Sequence, residues 1–153
     1  MKKPVRLSGF RCWHADMVLT DKRQKAAELL LNFYEGRVTN YQMGDAWPCD
    51  AADPALSKVF WANWGLYSDL REEYVEPRLR KNYTASKAIH RCLVFLASGL
   101  EYEWVGFGLS RGLVPRILEL LDEHRREINS AGDQSVWPFY HKEDYKREWK
   151  LRN

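Results

Sequence analysis

Apolar residues recur along most of this 153-residue chain at the three-and-four spacing of an amphipathic helix, with short alternating stretches between the helical segments. From Thr20 or Asp21 to about Glu35, one face carries Ala26, Leu30, Phe33 and Tyr34, and the other carries Asp21, Lys25, Glu28 and Asn32. Gly36 follows where a left-handed residue ends a helix. Asp53-Pro54 pairs an N-cap acid with proline at the first helical position, and the helix it opens is expected to run through Leu70, and on to Val75 before Pro77. Its stripe is Leu56, Val59, Phe60, Asn63, Tyr67, Leu70 and Tyr74. Trp64 flanks that stripe and Trp61 lies further round, so the apolar arc is wide. Such an arc is buried on more than one side or offers tryptophan to a partner. Thr84 to Ser98, closed by Gly99, is apolar nearly all round and belongs at the centre of the fold. A last long helix is expected from about Gly112 to Asn129, with Leu113, Ile117, Leu120, Leu121 and Ile128 inward.

The alternating stretches predict strands. Val5 to Leu19, interrupted by Gly9, is one bulged or two short strands, and Arg37 to Met43 is another. In Leu100 to Gly108, Glu101 and Glu103 oppose Tyr102 and Trp104. Gly44 to Asp53 is an acidic loop. Together these elements predict an α+β fold, predominantly helical, with four or five helices packed on a small antiparallel sheet; the alternative is an all-α bundle, should the strands be loops. No repeat or linker divides the chain, so residues 1–153 form one globular domain, with residues 136–153 as an aromatic, basic C-terminal tail ending in a short exposed helix.

Composition narrows the function without naming it. The chain is 45% hydrophobic and 29% charged, as globular proteins are. A net charge of +3 does not by itself imply nucleic acid. No apolar run approaches the roughly 20 residues of a membrane span. Met1-Lys2-Lys3-Pro4 is followed by Arg6, Ser8, Gly9 and Arg11 where a signal peptide would be apolar. Cys12, Cys49 and Cys92 are odd in number, widely spaced and free of any C-x-x-C pair, which predicts reduced thiols and a cytoplasmic protein.

Candidate chemistry is sparse. Gly106 to Gly112 precedes a helix but misses the dinucleotide and phosphate-loop fingerprints, leaving Ser110, Arg111 and backbone amides as a potential anion cradle or a plain turn. His90 and His124 sit on or beside apolar faces, as hydrogen-bonded core histidines do. Cys12 and His14 could share a strand face, but His90 and Cys92 point about 200° apart on a helix, so no metal site is expected. His14 and Asp16 are the nearest approach to a base with its orienting acid, and no nucleophile elbow or cysteine-nucleophile signature is present. No cofactor is implied.

Three functional readings follow. Seven Trp, eight Tyr and six Phe favour a non-catalytic binding module for a protein partner or a second copy of the chain, with Trp61, Asn63, Trp64, Tyr67, His90 and His124 as its ligand or partner surface. Sequence-tolerant nucleic-acid binding competes with it. That reading rests on Lys2, Lys3, Arg6, Arg11, Arg78, Arg80, Lys81, Lys146 and Arg147, with Lys142, Lys150 and Arg152 interleaved among Tyr140, Tyr145 and Trp149 in the tail and Tyr83 beside the middle cluster. The third reading is an enzyme or small-ligand binder centred on an aromatic pocket with His90, His124 or Asn63. Asn63 equally reads as a satisfied core amide that sets how two helices meet.

Overall fold

The computed structural model of the chain describes residues 18–63, 66–67, 70–104, 126 and 129–153. Six α-helices are placed in full: α1 (Thr20–Tyr34), α2 (Asn40–Ala46), α3 (Pro54–Ala62), α4 (Pro77–Lys81), α5 (Tyr83–Ser98) and α6 (Lys142–Arg152), with a 3-10 turn at Gln134–Val136. Among the described residues there is no strand, so the expected sheet is overturned and the described fold is helical. Of the three expected strands, residues 5–17 and 105–108 lie outside the described residues.

Arg37 to Met43 shows how one strand expectation failed. Thr39-Asn40-Tyr41-Gln42 is a capping box: the Gln42 amide donates to Thr39 Oγ1 at 3.2 Å and the Thr39 amide to Gln42 Oε1 at 3.0 Å. Reciprocal capping satisfies two orphan donors and starts α2 where alternation had suggested a strand. Residues 100–104 carry no regular secondary structure, and side chains tie the segment, with its buried Tyr102, to the rest of the fold. Arg23 Nη1 donates to the Leu100 carbonyl at 2.6 Å, and Trp137 Nε1 to the Tyr102 hydroxyl at 3.1 Å.

Helix ends predicted from local signals hold. Gly36 has φ 73°, and the Arg37 and Gly36 amides donate to Asn32 and Phe33 carbonyls at 2.8 and 3.0 Å, a Schellman closure of α1. Asp53 caps α3 with Pro54 behind it, and Gly99, φ 70°, ends α5. The expected long helix to Leu70 or Val75 instead stops at Ala62. Buried Asn63 bends its amide back onto the Val59 carbonyl at 2.7 Å, and such a side chain competes with continuation of the helix. Further on, the backbone of Arg71 and Glu73 bonds to Asn40 on α2, not to a turn of its own: Asn40 Nδ2 donates to the Arg71 carbonyl at 3.0 Å, and the Glu73 amide donates to Asn40 Oδ1 at 2.8 Å. That pins residues 71–75 as a strap and delivers Val75 to the core. Pro77, expected as a break, is the first residue of α4.

Helix α5 packs against α1, α4 and α6 and lies between two apolar clusters, as its all-round apolarity required. Ile89, Cys92 and Leu96 join Ala26, Leu30 and Phe33 of α1 and Leu56 and Val59 of α3. Val94 and Phe95 join Tyr102, Val136 and Phe139. Between α1 and α3 sits a buried ion pair, Arg23 and Asp53.

Candidate functional site

The two clusters continue outward along rings packed edge-on or tilted. Phe95 meets Phe139 at 5.1 Å, Phe139 meets Tyr145 at 5.3 Å, and Tyr145 meets Trp149 at 5.9 Å between centroids. Trp149 in turn meets His90 at 6.4 Å and 79°, and His90 meets Tyr34 at 6.4 Å. This chain of rings carries the aromatic load from the core to the outer edge of the α5–α6 contact.

There a groove of about 490 Å³ opens between α5 and α6. Helix α5 contributes Tyr83, Ser86, Lys87 and His90, the i, i+3, i+4, i+7 set of one face; α6 contributes Tyr145, Lys146, Trp149 and Lys150. Among the described residues, three lysines line it and no carboxylate does. Helix α6 carries three acids, Glu143, Asp144 and Glu148, and two of them are held by arginines. Asp144 and Glu148 lie on its other side, held by Arg147 at 2.8 and 3.6 Å, and Arg152 binds Glu148 at 2.5 Å while donating to the Ala97 carbonyl at 2.7 Å. These pairs engage Asp144, Glu148 and Arg147, while Glu143 is exposed one turn before Lys146, and Lys146 and Lys150 line the groove. Lys87 places its ammonium 4.7 Å from the centre of the Tyr83 ring, a cation–π contact. Tyr83 is 72% exposed and Trp149 37%.

The residues expected from sequence divide. Asn63 is buried, bonded to Val59 and to the Cys92 thiol, the arrangement of a core amide joining α3 to α5. Burial raises that thiol from its ordinary 9.0 to about 12 against the Asn63 hydrogen bond, so Cys92 stays protonated at neutral pH. Tyr67 packs its ring edge on Phe33 at 5.4 Å. Trp61 is 59% exposed and touches Phe60 at 5.6 Å. None of these three lines the groove. His90, expected on an apolar margin, is exposed in the groove beside Lys146. Arg78 and Lys81 are exposed on α4 just ahead of Tyr83, while the Arg80 guanidinium lies against Gly36 at the C-terminal end of α1. Trp64, His124, Lys2, Lys3, Arg6, Arg11, Cys12, His14, Asp16 and the Gly106–Gly112 segment lie outside the described residues. Ser86 and Lys87 were missed by sequence reasoning; the signal was their spacing from Tyr83 and His90 on one helix face.

A second groove, of about 520 Å³, lies between α1 and α5. Ala27, Leu31, Leu93, Leu96 and Ala97 make it apolar, and among the described residues Glu28 is the charged group at its wall. Thr20, Gln24 and Ser98 add polar groups to that wall, so the two grooves differ in charge: the smaller one gathers three lysines. Among the described residues no three His, Cys, Asp or Glu side chains gather as metal ligands, and no helix is long and apolar enough to cross a membrane. No family model matches the chain, and no curated protein or solved structure is similar to it.

Proposed function

We propose that this protein is a non-catalytic binding module that takes nucleic acid, without sequence preference, in the groove between α5 and α6. The observation that carries the reading is the lining itself: Lys87, Lys146 and Lys150 converge on one cleft among exposed rings, while Asp144 and Glu148 of α6 are paired with Arg147 and Arg152. Lysines in such a cleft neutralise phosphates and release their counterions, and every base offers a ring face to an aromatic side chain. Arg78 and Lys81 extend the same charge ahead of Tyr83.

Fluorescence anisotropy of labelled oligonucleotides against the full chain tests this. Binding is expected to weaken steeply with salt. Replacing Lys87, Lys146 and Lys150 together with glutamine should flatten the log–log salt slope by about 2, the share of three single-strand phosphates. A salt-independent signal, or unchanged binding by the triple variant, refutes the reading.

The protein-partner reading now rests on Trp61, whose exposure favours an interface anchor. It predicts self-association in sedimentation that Trp61→Ala abolishes; a monomer at all concentrations counts against the second-copy form of it.

A further inference from the structure

We infer that the α5–α6 groove selects single strands, with one base stacked on Trp149, another on Tyr83, and the phosphates between them held by Lys87, Lys146 and Lys150. This rests on the nucleic-acid reading above and adds to it which form of nucleic acid enters. The ring geometry is the ground. Trp149 meets His90 in a T-shaped contact (79° between planes) and Tyr145 at a tilt (55°), and neither is a parallel stack on the indole. Tyr145 is itself braced on Phe139 in the core. The indole is therefore pre-set in its orientation, and little side-chain freedom is left to lose when a base arrives. At the other end, Lys87 occupies one face of Tyr83. With the ring 72% exposed, the opposite face is left to a base and the ammonium stands beside it for the adjoining phosphate.

A duplex cannot use this arrangement. Its bases are stacked on one another and present only edges in the grooves, so it would meet the lysines through its phosphates and leave the rings idle. A cleft of about 490 Å³ is the size of a small-ligand site, suited to one or two splayed nucleotides. Only an unpaired strand can offer phosphates and ring faces at once.

The test titrates the full chain at low salt with a single-stranded thymidine oligonucleotide, a duplex of equal length and inorganic polyphosphate, which has charge but no bases. Single strand is expected to bind tightest. Trp149→Ala and, separately, Tyr83→Ala should each weaken it about tenfold while changing polyphosphate binding less than about twofold; Trp149→Phe should retain most of the affinity. Tyr83 is an exposed ring, so its variant remains informative if Trp149→Ala disturbs the α6 contact. If single strand and duplex bind alike and both ring variants match wild type, single-strand selection is overturned while the nucleic-acid reading stands. Binding of polyphosphate alone, or of nothing, overturns that reading as well.

Discussion

Arg23 and Asp53 set the most demanding chemistry of any single residues here. They are 1% and 0% exposed, and they meet through two hydrogen bonds of 2.6 and 2.8 Å. Further partners lie nearby: Arg23 donates to the Leu100 carbonyl and lies 5.2 Å from the Phe95 ring centre, and Asp53 accepts the Leu19 and Ala55 amides. Removing one partner strands the other as a buried charge, at a cost of about 3–5 kcal/mol. Asp53→Ala and Arg23→Met are each expected to show that loss in urea unfolding. The double variant should lose clearly less than the sum, because the stranded charge is gone. Strict additivity would mean that the pair is not coupled. The cap role of Asp53 is legible in the Asp-Pro dipeptide, but its partner 30 residues earlier is not. Arg23 shares the helical face of Ala26, Leu30 and Phe33, and an arginine there reads as a face edge until the acid that neutralises it is located.

Helix α2 carries the lesson at the scale of the element. Its seven residues are too few to be stable by propensity, so its cap and its strap contacts determine whether it forms. Thr39→Ala is expected to lower stability by about 1 kcal/mol, and Thr39→Ser to restore most of it, read as midpoints of urea unfolding. An alanine variant as stable as wild type would remove the cap from the account. The capping box was present as Thr-x-x-Gln across residues 39–42, yet residues 37–43 also read as a short strand, and short windows do not distinguish the two. Helix α6 teaches the converse. Its mixture of acids and bases reads as a solvated face, whereas the i, i+3 and i, i+4 pairs to Arg147 and Arg152 sort the charges by side.

For the molecule as a whole, the buried Cys92 thiol ties stability to alkaline pH. In the folded chain it titrates near 12, and exposed on unfolding it returns to the ordinary range near 9. Between those values the unfolded state holds fewer protons, so stability falls as pH rises, by at most about 1.4 kcal/mol per unit from this group. Below pH 8 the contribution is flat. Urea midpoints at pH 8 and pH 10 should therefore fall less in Cys92→Ala than in wild type; equal slopes would assign the alkaline loss to other groups. The same burial makes Cys92 slow to alkylate in a Cys12→Ser background, where exposed Cys49 should react first.

The sequence alone determined helices α1, α3 and α5 at their starts or ends, the left-handed glycines at 36 and 99, and the central place of α5. Those features depend on residues three or four apart, which a chain displays directly. Tertiary structure decided that residues 100–104 find side chains instead of a sheet, that Asn63 ends α3 early, and that Lys146 and Arg147, adjacent in sequence, do opposite things. It also decided the groove, whose walls come from residues 83–90 and 145–150. A net charge of +3 gives no hint of it, because what matters there is which charges are paired within α6 and which are left to face α5.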